Sequence, residues 1–180
     1  MRKILPILFI LLSGNAISND DFSWLTPDGN KAPETENQKS KSGFGGWLVV
    51  TPDKDWEEKW NTPSENIPYF SEAKDVKLGE ELTILPFFAN PKLNESNYFE
   101  ILCDIKVEKP DGTYSINEKN IPCAKGKLDI SPLSVFLTQT VIKYIGEQGD
   151  PYGVWTVYFD MKDSIRGINI PLKTSFNLVK

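Results

Sequence analysis

The chain has 180 residues, with 20 Lys and Arg, 25 Asp and Glu, and no histidine. The missing imidazole excludes Ser–His and Cys–His nucleophile pairs and every His-ligated metal site. A hydrophobic share of 39% beside 25% charged residues is an ordinary globular composition, which excludes a wholly disordered chain.

Met1-Arg2-Lys3 is basic, Ile4 to Leu12 is apolar, and small or polar residues follow to Asn19. That order is the layout of a secretory signal over residues 1–18, with Ala16 and Ser18 suited to a cut before Asn19 and a cut after Ala16 as the alternative. The apolar run is shorter than the roughly 20 residues a membrane span requires, and no cysteine follows it to carry a lipid. Loss of Arg2 and Lys3 leaves 18 bases against 25 acids, a net charge of −7. An acidic exported chain has no electrostatic case for nucleic acid or for an anionic membrane surface. The expected location is periplasmic or extracellular.

Residues 19–43 are polar and aperiodic, and read as a flexible tether. Trp24 and Leu25 make an isolated apolar spot in it that could dock on the domain or on a partner. From residue 44 to residue 180 short apolar runs alternate with turn residues, which predicts one domain large enough for its own core. Trp47 to Thr51 is the first expected strand. Thr51 as N-cap, Pro52 at the first helical position and the acids Asp53 and Asp55 predict a short helix over residues 52–60. Trp56 and Trp60, four residues apart, would share its face.

Further strands are expected near Asp75 to Leu78 and over Glu81 to Phe88. The second of these is apolar on both faces and contains Pro86, which belongs at a bulge or a sheet edge. Ile101, Cys103, Ile105 and Val107 then alternate with polar residues up to the turn Pro110-Asp111-Gly112, and Tyr114 to Ile121 returns from it. Residues 131–146 are read as two short strands around a turn; a helix from Ser131-Pro132 to Gly146 is the alternative. Trp155, Val157, Phe159 and Met161 form one face of the next strand. Asp163 to Gly167 makes a hairpin loop, and Ile168, Ile170, Leu172, Thr174, Phe176 and Leu178 line the last strand. Alternation of this one-sided kind belongs to antiparallel sheets with one wet face, so the fold class is an all-β antiparallel sandwich of seven or eight strands with one short helix.

Cys103 and Cys123 read as one structural disulfide, since two thiolates without His cannot close a zinc site and no Cys-x-x-Cys is present. Counting across the turn places Cys103 near Asn120, and a small slip or a bulge at Pro122 brings Cys123 within reach.

The segments Gly79-Glu80-Glu81-Leu82-Thr83-Ile84, Val107-Glu108-Lys109-Pro110-Asp111-Gly112-Thr113 and Gly153-Val154-Trp155-Thr156-Val157 resemble extracytoplasmic immunoglobulin-like modules, over about residues 75–180. The stretch Gly45-Gly46-Trp47-Leu48-Val49-Val50-Thr51-Pro52-Asp53 resembles an exported bacterial family of unassigned function, and that likeness implies no activity.

Trp56 and Trp60, joined by Tyr69 and Phe70, form either packing over the sandwich or an aromatic platform for a protein or a sugar. Asp53, Asp55, Glu57 and Glu58 could supply a glycosidase carboxylate pair, but none sits in an apolar run that would raise its pKa. No calcium loop, phosphate loop or Ser-x-x-Lys motif occurs, so no metal and no cofactor is expected. Asn94-Glu95-Ser96 matches a glycosylation sequon. The expectation is an exported, non-catalytic binding domain for a protein partner, working through the Trp56/Trp60 helix or through the edge of the final strand. A carbohydrate-binding module or a small His-free glycoside hydrolase is the alternative.

Overall fold

The computed structural model describes residues 22–26, 28–62 and 68–180. The expected signal segment lies outside the described residues. Among the described residues ten strands and one helix are present, and the strands form the two packed sheets of a β-sandwich. The first sheet holds β1 (Gln38–Lys41), β2 (Phe44–Thr51), β4 (Glu81–Ala89), β7 (Val135–Leu137) and β8 (Ile142–Ile145), with β7 and β8 both pairing to β4. The second runs in the order β3 (Asp75–Lys77), β10 (Ile168–Val179), β9 (Gly153–Asp163), β5 (Tyr98–Glu108) and β6 (Tyr114–Lys127). All pairings are antiparallel except β3 with β10.

Alternation decides which side chains meet between the sheets. Ile101, Cys103, Ile105 and Val107 of β5 pack with Trp155, Val157, Phe159 and Met161 of β9 and with Ile170, Leu172, Phe176 and Leu178 of β10. Phe44, Leu48 and Val50 of β2 and Leu82, Ile84 and Phe88 of β4 close the core from the other sheet. The ambiguous stretch 131–146 resolves into β7 and β8, separated by the break at residues 138–141. Pro86 occupies a central strand, yet at a local edge. Its carbonyl accepts the Thr138 N–H at 3.0 Å, so its missing N–H points at the gap where β7 has ended and β8 has not begun.

The disulfide joins Cys103 to Cys123 with the Cα atoms 5.9 Å apart. Cys103 faces Ile121, and the register then jumps, Ile101 pairing with Ala124 and Leu102 with Pro122. Cys123 is therefore the extra residue of a bulge, and both it and Ala124 turn inward.

Two expectations change. The stretch read as a tether is docked over its described part. β1 pairs with β2 through the tight turn Ser42-Gly43, whose two residues both have positive φ, 46° and 82°. Trp24 lies against Trp47 with ring centroids 6.0 Å apart and donates its Nε1 hydrogen to the Lys39 carbonyl at 3.0 Å. Gly45 makes this possible, because a Cβ there would collide with the Phe22 ring and come within 3.2 Å of Trp24. Leu25, in contrast, remains 65% exposed. Polar composition hid this segment because its attachment runs through backbone hydrogen bonds and two aromatic rings, not through an apolar stripe.

The helix is also shorter than expected. It spans α1 (Trp56–Trp60), with Asp55 at the N-cap and no side-chain cap. Thr51 ends β2, and its hydroxyl accepts the Asp53 N–H at 3.1 Å, so residues 52–55 turn before the helix begins.

At one end of the sandwich Asp163, fully buried as a side chain, accepts hydrogen bonds from the Lys92 N–H at 2.7 Å and the Arg166 N–H at 2.9 Å. The Arg166 guanidinium donates to the Ser42 carbonyl at 2.7 Å and to the Asn90 carbonyl at 3.0 Å. A loop that reads as a plain hairpin thus pins the β1–β2 turn and the end of β4 to the second sheet.

Candidate functional site

Because β4 is apolar on both faces, the first sheet cannot leave its outer face in water. Trp47 and Val49 of β2 sit directly opposite Phe87 and Leu85 of β4 on that face. Helix α1 and the segment around Phe70 cover them. Trp60 and Phe70 lie 5.2 Å and 5.8 Å from Phe87, and Trp47 lies 5.6 Å from it on the other side. Phe87 is consequently 1% exposed although it points away from the sandwich core.

Among the described residues the roof does not close. Between Trp47, Trp60 and Phe70 lies a cleft of about 260 Å³, floored by Phe87 and rimmed by Pro68, Tyr69, Glu72 and Val135. Tyr69 is 80% exposed at its mouth. Of the four aromatics singled out from the sequence, the structure brings Trp60, Tyr69 and Phe70 to this cleft, and Trp56 packs beside it in the same outer cluster. Trp56 and Trp60 are half-buried against the sheet. Trp60 both packs on the outer cluster and walls the cleft, whereas Trp56 packs on that cluster without lining the cleft. Sequence reasoning missed Trp47, Phe87 and Glu72. The signal for the first two was present, since Phe87 belongs to the strand that is apolar on both faces.

Two of the acids in the helix region, Asp53 and Asp55, are engaged by Lys59. Lys59 reaches Asp53 at 2.7 Å and Asp55 at 3.2 Å, and the Ser71 N–H donates to Asp53 at 2.8 Å. Burial pushes the Asp53 carboxyl up, but the bonds from Lys59 and Ser71 outweigh it and hold the carboxyl below its usual value. A general acid needs the opposite shift. The bond to Asp53 in turn raises the Lys59 ammonium. Among the described residues no group of three or more His, Cys, Asp or Glu could hold a metal ion, and no helix is long and apolar enough to cross a membrane.

The second site suggested by the sequence, the edge of the final strand, is not open. β10 lies inside its sheet between β9 and β3. Its outward backbone groups are further occupied: the Lys173 N–H donates to the Glu36 carbonyl at 2.8 Å, and Lys39 Nζ donates to the Pro171 carbonyl at 2.8 Å. What remains is a polar cleft of about 540 Å³ beside Ser175, bounded by Glu36, Glu72 and Asp75. Glu72 stands on the ridge between this cleft and the aromatic one.

The outer face of the second sheet has a different character. Asp104 accepts Lys162 Nζ at 2.6 Å and the Asn120 N–H at 2.8 Å, and these bonds hold its carboxyl below the usual range. Asn169 binds both oxygens of Asp160 at 2.9 Å. Glu108 beside the Tyr158 hydroxyl pushes that phenol up.

The chain matches no family model and no curated protein sequence. Among solved structures it is similar to an alkylpurine DNA glycosylase from Pseudomonas fluorescens, solved bound to DNA containing an abasic-site analogue, at 12% identity and a TM-score of 0.40, covering 74% of this chain and 29% of that one. It is similar to a family 123 glycoside hydrolase from Clostridium perfringens at 10% identity and a TM-score of 0.40, covering 75% and 27%. The CARDB domain of a Pyrococcus furiosus protein, solved with di-metal ions, shows 8% identity and a TM-score of 0.37, covering 74% and 89%. The chain thus spans less than a third of the first two proteins. Likeness at this level carries no activity across.

Proposed function

We propose that this chain is an exported, non-catalytic binding domain whose aromatic cleft on the outer face of the first sheet receives a protein partner. The observation that carries the reading is the pairing of a cleft built from Trp47, Trp60, Phe70 and Phe87 with an 80% exposed Tyr69 at its mouth. Rigid aromatic anchors at a partly desolvated recess are the residues that dominate protein interfaces. Drug-sized ligands occupy roughly 300 to 1,000 Å³. A recess of about 260 Å³ instead suits one or two inserted side chains. Sugar recognition also uses aromatic faces, but it needs several polar groups around the ring, and the described lining is mostly apolar, with the Glu72 carboxylate, the Tyr69 hydroxyl and the indoles of Trp47 and Trp60 as its polar side chains. A buried disulfide is consistent with export to an oxidising compartment.

A photo-crosslinking amino acid at position 69, in the full chain exported by its own cells, should give a discrete protein adduct that excess unlabelled protein removes. The same probe at Tyr114, exposed on the second sheet, should give none. No adduct from position 69, together with quenching of tryptophan fluorescence by glycans, would replace the protein reading with the carbohydrate one.

A further inference from the structure

The cleft is aromatic rather than aliphatic, and that chemistry is selective. Trp47, Trp60, Tyr69, Phe70 and Phe87 put five π-systems around one recess, and among the described residues of its lining Glu72 is the charged one. Ring faces carry negative potential and attract a cation bearing apolar surface, most strongly where water is partly excluded. A recess meant for a leucine or phenylalanine would gain nothing from a carboxylate at its rim.

The charges around it point the same way. Glu57 and Glu58 are exposed on α1, the helix that supplies Trp60, and Glu72 is exposed on the rim; none of the three makes an ion pair among the described residues. Of the nearby cations, Lys59 is held by Asp53 and Asp55, and Lys74 lines the polar cleft beside Glu72 but not the aromatic one. The site is therefore an aromatic recess beside acids that make no ion pair among the described residues, on a protein that is acidic as a whole.

We infer that the occupant is a basic side chain of the protein partner, an arginine seated over the rings with its guanidinium toward Glu72. Arginine fits better than lysine because its planar, weakly hydrated guanidinium stacks on aromatic faces while donating to a carboxylate. This rests on the reading of the outer-face cleft as the binding surface.

The test uses the intact protein and three probes: acetyl-Gly-Arg-Gly-amide, acetyl-Gly-Leu-Gly-amide and choline, followed by the indole N–H resonances of Trp47 and Trp60. The arginine peptide should bind at least about fivefold more tightly than the leucine peptide, and should weaken as salt rises. Glu72→Gln, at an exposed position that leaves folding intact, should remove most of that preference. Equal binding of the two peptides, or no change in Glu72→Gln, would overturn the inference in favour of a purely apolar recess. Binding of choline without the arginine peptide would overturn it in favour of a small ammonium ligand. A crosslinked partner from position 69 with no arginine preference would sink this inference alone; failure of both experiments would sink the reading beneath it as well.

Discussion

On the outer face of the second sheet the polar side chains stand at the water boundary and are satisfied there by short bonds, Lys162 donating to Asp104 and Asn120, and Asn169 donating to Asp160. On the outer face of the first sheet Trp47, Val49, Leu85 and Phe87 are roofed by a helix and flanked by a docked N-terminal arm. The two sheets share one core and similar strand geometry, yet one wet face is finished by side-chain polarity and the other by additional chain. The difference teaches what a strand that is apolar on both faces means in an antiparallel sandwich. Its second face needs a cover, and an incomplete cover leaves a recess where a partner can finish it.

The sharpest way to break this contrast is to remove its centre. Phe87→Ala deletes the floor shared by Trp47, Trp60 and Phe70, and should cost about 4 kcal/mol in urea unfolding. A loss below about 1 kcal/mol would make the outer cluster peripheral and the contrast false. On the other sheet, replacing both Cys103 and Cys123 with Ala should cost about 3 kcal/mol, the loop-closure value for a bridge spanning 20 residues. That change should leave ligand binding at the first sheet intact, measured on the protein that remains folded.

Gly45→Ala places a methyl group under Phe22 and Trp24, and should cost about 2 kcal/mol while exposing residues 22–26 to limited proteolysis. An unchanged cleavage pattern would show that the arm is not held by its rings. Asp104→Asn removes the partner of Lys162 on the polar face, and should cost no more than about 1 kcal/mol because both side chains stay partly exposed. The Asp104 carboxyl is held lower in the folded protein than its free value of about 3.9, so its contribution is present above that value and is lost as pH falls through the folded one. Urea midpoints measured between pH 5 and pH 2 should therefore fall less steeply in Asp104→Asn than in the parent. Tyr69→Ala should change stability by about 0.5 kcal/mol or less, since the ring is 80% exposed, while weakening the response of the Trp60 indole resonance to the arginine peptide. It has the smallest effect on folding and separates the site from the scaffold most cleanly.

Much of the scaffold was legible because period two is a direct consequence of strand geometry. β5, β9 and β10 alternate without a break, and each buried residue lies where alternation puts it. The Cys103–Cys123 bridge was legible through the turn at Asp111-Gly112, with the bulge supplying the missing offset. β1 was not. Its sequence, Gln-Lys-Ser-Lys, has no apolar face, and its place is set by pairing to β2 and by lysines that reach carbonyls of β10. The candidate site was half legible. Trp60, Tyr69 and Phe70 lie close together in sequence, but Trp47, Phe87 and Val135 come from three separate strands and only sheet register brings them to the same recess.

By itself the sequence determined the fold class, the disulfide and the exclusion of histidine chemistry, because each follows from local periodicity, spacing or composition. Tertiary structure alone decided that the polar N-terminal stretch docks, that the edge of β10 is occupied, and that the helix walls a recess without sealing it. Those outcomes depend on which distant backbone groups and rings meet across the two sheets, and no local pattern encodes that.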